Sequence, residues 1–465
     1  MTTTEKMLFT ATDLGGGDGG KGGVVQKISS LKKAHTILKV GGAQGSHGVK
    51  TETGQNFNFS QFGCGTFEGA KTHLTELMVI EPYRLIYEGE QLKYQWGVGN
   101  IFDHITIDAN ALCITPFHTI TSRLRELDRK EKPKGTVGIG AGETVRDSEK
   151  YPELTIRAGD LNAPNLFERL TTVKEQKIKD LEQIIGRIPE FWSNDQECAQ
   201  ELLQLLHDPE FINRIVERFN TLGSLVKVVG KEYLQQKILK HDGVIVVESS
   251  HGILTDRYYG FHPHTSQLRT TPGAIFKLLK DCDYNGRIIK LGVTRAYQIR
   301  HGAGPMVTES PEWLEKMLPN SSKSENRWQG KVRIGPLDLV ALRYAINACG
   351  GPSAFDGLAV TWFDQIQTIG EWPLCSSYSN ATDQNYFTPQ GEILVNRDGG
   401  VKQIEHQKQL TERLFQCHPN LTSDDISGKS QEELINFSTK VLQAELNLPV
   451  RMIGFGPTEK DKICF

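Results

Sequence analysis

The chain has 465 residues, 38% hydrophobic and 23% charged, with 53 Lys and Arg set against 56 Asp and Glu; these are the proportions of a globular protein with a sizeable core, not of a disordered or fibrous chain. The formal net charge of −3 argues against nucleic acid or an anionic membrane as a partner. Met1-Thr2-Thr3-Thr4-Glu5-Lys6 opens no apolar stretch of signal length, no later run approaches a membrane span, and the eight cysteines show no C-x-x-C spacing, so a cytoplasmic protein with reduced thiols is expected.

Met7-Leu8-Phe9-Thr10-Ala11 reads as a first strand. It runs into Leu14-Gly15-Gly16-Gly17-Asp18-Gly19-Gly20-Lys21-Gly22-Gly23, after which Val24, Val25 and Ile28 begin a helical pattern. Glycine lets such a turn take positive φ and bring backbone N–H groups against a ligand, and the following helix N-terminus adds partial positive charge. The turn therefore suits phosphate, with Lys21 in reach of a phosphoryl oxygen and Asp18 able to hold a metal or take a proton. It is not a Walker A loop, because Gly22 stands where the metal-binding hydroxyl belongs. The G-x-G-x-x-G through Gly15, Gly17 and Gly20 is too common a pattern to define a dinucleotide site. A flexible turn without a ligand is the plain alternative.

Residues 35–40 (HTILKV) read as a second strand, ending in Gly41-Gly42-Ala43-Gln44-Gly45-Ser46-His47-Gly48, again a glycine turn with a reactive side chain. Taken alone, His47 is a surface or capping histidine. Residues 51–69 read as loop, 105–108 and 111–114 as short strands, 120–129 as the start of a helix, and 135–142 as a third glycine cluster. Residues 166–240 are helical by period, with one stripe of Ile178, Leu181, Ile184, Ile185 and Ile188 and another of Leu202, Leu203, Leu205 and Leu206. Residues 243–247 (GVIVV) form a continuous apolar strand delivering Glu248-Ser249-Ser250-His251-Gly252. Residues 288–293 and 358–361 are further strands, the last ending near Asp364, and 376–400 is a polar surface excursion. Strands that repeatedly end in glycine and polar residues predict an α/β fold: a mostly parallel central sheet flanked by helices, one domain over 1–465, with its site at the strand C-termini.

The ordered series Gly17-Asp18-Gly19-Gly20-Lys21-Gly22, Gly41-Gly42 to His47, Gly138-Ile139-Gly140, Arg157-Ala158-Gly159-Asp160-Leu161, Ala296-Tyr297-Gln298-Ile299-Arg300-His301-Gly302-Ala303-Gly304-Pro305, Leu337-Asp338-Leu339-Val340-Ala341 and Gly454-Phe455-Gly456-Pro457 resembles the adenylosuccinate synthetase family, in register over nearly the whole chain. The resemblance implies a fold related to the P-loop NTPases, a homodimer, and a role in purine biosynthesis. It also implies a GTP- and Mg²⁺-dependent ligase that joins L-aspartate to C6 of a purine nucleoside monophosphate, IMP, through a 6-phosphoryl intermediate. By that resemblance Asp18 is base and metal ligand, Ser46 stands at the second metal position, Lys21 holds phosphoryl oxygens and His47 donates to the transferring group. Gly17, Gly20, Gly22, Asp364, Gly454, Gly456 and Pro457 are implied for GTP, because a carboxylate such as Asp364 accepts guanine N1–H and N2–H together. Gln44, Thr136 (with a one-residue gap), His251 and Ser266 are implied for the acceptor nucleotide, and Arg300, Lys331 and Arg333 for the two carboxylates of aspartate.

Several positions depart from the family pattern. The glutamate after the catalytic aspartate is Gly19, an asparagine is Gln44, and a glutamine that touches the purine is His251. A lysine is Trp362, which is a core tryptophan or a stacking platform for a base. The family arginine that crosses from a neighbouring subunit has no match in register, Arg146 lying near. The phage branch that makes the 2-amino product loses the catalytic aspartate, so the presence of Asp18 favours a 6-oxopurine acceptor. Two alternatives stand beside the ligase: a member with a changed nucleotide or amino-acid substrate, and a non-catalytic nucleotide sensor. A nicotinamide dehydrogenase fits poorly, because Val40-Gly41-Gly42 occupies the place of a ribose-binding acid.

Overall fold

The structure, a computed structural model, describes residues 5–130, 132–317 and 327–465; residues 1–4, part of the stretch read above for a signal, lie outside them. Met7–Asp13 lies at the centre of an 11-stranded sheet. Towards one edge come Arg287–Arg295, Gly357–Thr361, Val450–Gly454 and Lys462–Cys464; towards the other come Val244–Ser249, Thr36–Gly42, Lys71–Ile80, Ile105–Asp108 and Lys227–Val229, with Leu112–Cys113 also on Lys71–Ile80. All pairings are parallel except that of Lys462–Cys464 with Val450–Gly454. This is the mostly parallel sheet expected. Its inner strands are apolar without alternation because both faces are covered: Val244, Ile245, Val246 and Val247 are all buried.

Two large apolar clusters flank the sheet. One gathers Val24, Val246, Phe117, Leu170 and Phe219, and the other Leu14, Val360, Leu342, Tyr344 and Trp372. The stretch 166–240 is helical only in part: Leu166–Arg187, Ser193–His207 and Phe211–Leu225 are helices, but Lys227–Val229 adds the edge strand, too short to carry a period. In the second stripe Leu202 and Leu206, four apart, face the core, whereas Leu205 is 43% exposed. The supposed loop at 51–69 contains Asn56–Phe59, paired antiparallel with His47–Lys50, and this hairpin carries His47. The strand Glu371–Ser379 runs into the polar excursion.

His73, on Lys71–Ile80, is fully buried; its Nδ1 meets Thr106 Oγ1 at 2.9 Å and its Nε2 has no partner among the described residues. Burial pushes its pKa down to about 4. The unfolded chain binds this proton below about pH 6.5 and the folded chain does not, so stability falls as pH drops through that window, by about 2 kcal/mol between pH 7 and 5. Urea unfolding at the two pH values is expected to show this loss reduced by about that amount in His73→Gln.

Candidate active site

The turn after Met7–Asp13 is built around Asp13, a residue to which the sequence assigned no role. It is 1% exposed; its carboxylate accepts the N–H groups of Gly15 and Gly19 at 2.8 Å each and the Lys21 ammonium at 2.7 Å. Lys21 Nζ also donates to the His251 carbonyl at 2.9 Å. A Cβ at Gly19 would lie 2.7 Å from Asp13 Oδ2, so the position that the family fills with glutamate has no room for a side chain here. Gly20 has φ of 88° and would place a Cβ 2.5 Å from Thr361 Oγ1. Glycine alone meets both demands, and the helix Lys21–Lys32 starts directly from this turn.

The strand ends open on a cavity of about 1010 Å³. Asp18, Lys21 and His47 line it together, from two separate turns. Gly17, Gly20, Gly22, Ser46, Asp364, Gly454, Gly456 and Pro457 are also on its wall, as are Gln44, Thr136, His251, Ser266 and Arg300. Lys331 and Arg333 are not. Arg333 is tied to Glu309 at 2.6 Å and to the carbonyls of Gly302 at 2.6 Å and Gly304 at 2.5 Å, and Lys331 is exposed. Arg300 is the cation that reaches the wall. It is 5% exposed, donates to the His264 carbonyl at 3.0 Å, and has no partner for Nε among the described residues. Burial, then the neighbouring Arg333, push its pKa down to about 9, the mark of a buried cation that lacks its anion. Arg146, out of register in sequence, is on the wall too, paired with Glu143 at 2.6 Å.

His47 is oriented from behind. Its Nδ1 lies 2.6 Å from Glu248 Oε1, an oxygen that also takes Lys39 Nζ at 2.8 Å, while Glu248 Oε2 accepts the Cys64 N–H at 2.9 Å. Burial alone would raise the Glu248 pKa, but Lys39 and His47 outweigh it and hold the carboxyl well below its usual range. The carboxylate is therefore charged and His47 Nδ1 carries the proton, which leaves only Nε2 for the cavity. Cys64 Sγ also approaches Glu248, and His47, Cys64 and Glu248 present ligand atoms within 4.8 Å of one another. Lys39 already supplies the positive charge there, so we read this cluster as a buried hydrogen-bond network rather than a metal centre.

Beside the same two turns, His251 is held neutral, its pKa pushed down to about 4 by burial and by Lys21. Its Nε2 meets Gln44 Nε2 at 2.8 Å, so the amide donates to the ring and the histidine proton sits on Nδ1. Trp362 is not a core tryptophan: it is 37% exposed on the cavity wall, with Arg295 Cζ 4.3 Å from its ring centre, while the adjacent Phe363 is the buried one. Asp18, His251 and Trp362 all have left-handed backbone, at φ of 59°, 64° and 61°. Non-glycine residues adopt this rarely, at a cost of roughly 1–3 kcal/mol each, and characteristically where a site requires it.

A parallel sheet whose glycine turns and backbone strain converge on one cavity, beside a buried guanidinium with no carboxylate partner among the described residues, defines a nucleotide-binding α/β enzyme. A family model for adenylosuccinate synthetase matches residues 14–463. Adenylosuccinate synthetases of Borrelia turicatae and Chlorobium limicola are 25% and 26% identical to this chain, covering 97% and 98% of it and 96% and 98% of the relatives. The fully ligated adenylosuccinate synthetase of Plasmodium falciparum superposes with a TM-score of 0.74 at 19% identity, covering 98% of this chain and 99% of that one. The cyanophage S-2L succinoaminodeoxyadenylate synthetase, bound to dGMP and to dATP as energy donor, superposes at 0.58 with 15% identity over 99% and 95%. The chain belongs to the adenylosuccinate synthetase family, which are GTP-dependent C–N ligases. Among the described residues no helix is long and apolar enough to cross a membrane.

Proposed function

We propose that this protein joins the amine of L-aspartate to C6 of IMP, forming adenylosuccinate as GTP is converted to GDP and phosphate. The observation that carries the reading is the convergence of Asp18, Lys21 and His47 on one cavity. In the first step Asp18 accepts the proton of purine N1, charge develops on O6, O6 bonds to the γ-phosphorus of GTP, and the bond to the GDP oxygen breaks. Lys21 lies at the helix N-terminus to meet phosphoryl oxygens. His47, its Nδ1–H held by Glu248, takes up a second proton on Nε2 as the negative nucleotide phosphates bind beside it, and donates that proton to the transferring group. In the second step the aspartate amine, entering as NH₂, bonds to C6, the C6–O bond breaks, phosphate leaves, and the nitrogen gives up one proton and keeps the other. Arg300 holds a carboxylate of the amino acid, with Arg333 on the strand beside it and Lys331 just before that strand; Asp364 reads guanine and Gly454-Phe455-Gly456-Pro457 closes over it. Thr136 and Ser266 hold the acceptor phosphate, and Gln44 and His251 its base.

Asp18 and Ser46 share the cavity wall with the phosphate turn, an all-oxygen donor set of the kind Mg²⁺ prefers. Bound there with the nucleotide phosphates, Mg²⁺ would neutralise the charge on the transferring group. A cytoplasmic homodimer belongs to the same reading and rests on the family resemblance.

Trp362 takes part as a platform for the guanine. Stacking of a base on an aromatic ring is worth about 1–3 kcal/mol, so Trp362→Asn, which removes the ring and tolerates the left-handed backbone at φ of 61°, is expected to raise KM for GTP about tenfold or more with kcat little changed. Initial rates at varied GTP check this.

The test of the whole reading is adenylosuccinate formation that needs GTP, IMP, L-aspartate and Mg²⁺ together. Turnover with no pair of purine monophosphate and amino acid would remove it and leave the nucleotide sensor. A member of the family with a different acceptor purine is favoured by one observation, the contact between Gln44 and His251; GMP or a deoxynucleotide replacing IMP in the same assay identifies it.

A further inference from the structure

His301 belongs to a motif shared with the family, yet neither its sequence position nor the reaction steps above give it a role. It ends the short strand Gln298–His301, which pairs antiparallel with Val332–Gly335, and this ribbon also carries Arg300 and Arg333. Its ring lies on the cavity wall, about a quarter exposed, and its Nε2 is 2.8 Å from Asp18 Oδ2. The Asp18 main chain is anchored separately, its carbonyl accepting Arg295 Nε at 2.5 Å. The residue read as the base is thus held at its main chain by Arg295 and at its carboxylate by His301.

A short aspartate on a glycine turn has two soft torsions, and its basic lone pairs point at a substrate proton in only a fraction of rotamers. Fixing one carboxylate oxygen fixes the direction of the other. We propose that His301 is the positioning residue for Asp18: its Nε2–H holds Oδ2 and so orients the carboxylate towards the purine, tying the base to the ribbon that carries the amino-acid cations. The inference rests on the reading of Asp18 as the base of a ligase. It predicts a chemical effect with little effect on binding, because His301 aims Asp18 without taking up substrate itself.

The test uses the full chain with Mg²⁺, GTP, IMP and aspartate. Glutamine places an N–H donor near the position of imidazole Nε2, whereas asparagine keeps a polar amide too short to reach. A lost hydrogen bond to a charged group is worth about 10- to 100-fold, so His301→Asn is expected to lower kcat by that factor with KM for GTP and IMP within threefold. His301→Gln is expected to recover most of the rate. Acceptor-dependent scrambling of the β,γ-bridging oxygen of GTP, measured without aspartate, should fall in parallel in His301→Asn, because the base acts in the first step. A kcat for His301→Asn within twofold of the parent overturns the proposal, and so does an equal loss in both variants or a loss carried in KM. Should either variant fail to fold, His301→Leu read by the same scrambling decides, an undiminished rate overturning the assignment. If the parent protein shows no acceptor-dependent GTP turnover, the ligase reading fails, and the role of His301 with it; the two failures are distinguishable because the first is seen before any substitution is made.

Discussion

Asp18→Asn is expected to reduce kcat about 10²–10⁴-fold, the usual contribution of a positioned general base, while the protein folds and binds GTP. Asparagine is the right replacement because the backbone there is left-handed, at φ of 59°, which asparagine tolerates and alanine does not; alanine would confound lost chemistry with strain. The amide preserves the size of the side chain and removes its charge, and with it the capacity to take the N1 proton and part of the hold on Mg²⁺. Steady-state kinetics with a direct measurement of GTP affinity separate the two effects. Activity within tenfold of the parent would show that the proton goes elsewhere.

The second large effect is expected at Glu248. Neutralising it leaves Lys39, 3% exposed and 2.8 Å away, as a buried charge without a counter-ion, and breaking such a pair costs about 3–5 kcal/mol. Glu248→Gln should show that loss in urea unfolding, together with a fall in kcat of about 10²-fold or more as His47 loses the carboxylate that fixes its tautomer. The double variant Glu248→Gln, Lys39→Met separates the roles. Two neutral side chains in place of a buried ion pair should restore most of the stability, because neither is left uncompensated, but His47 stays unsupported and the rate stays low. A rate recovered along with the stability would make Glu248 a purely structural residue.

Much of this arrangement was legible before any coordinates. Asp18 and Lys21 stood out because seven glycines in ten residues after an apolar run serve few other purposes, and the strand ends were marked by the same change from β-branched to small and polar residues. What escaped depended on distance along the chain. Glu248 was visible as the last polar residue of an apolar strand, but its partners lie 201 and 209 positions away, and no local pattern encodes a pairing made through sheet order. Asp13 looked like the end of a strand; its role appears only when the space opposite Gly19 and Gly252 is known. The edge strand Lys227–Val229 was hidden by helical periodicity on its N-terminal side. Trp362 could not be decided from composition, because exposure at a helix start depends on where the preceding strand stops.

The three left-handed residues around the cavity bear on attempts to improve this protein. A search for heat-resistant variants rewards relief of unfavourable main-chain torsions, and glycine at 18, 251 or 362 offers that relief at once. Such a search, run without an activity screen, would gather hardy molecules that have surrendered, one by one, the side chains proposed above as base, purine contact and stacking platform. Thermal resilience here has to be sought in the helical layer, far from those turns.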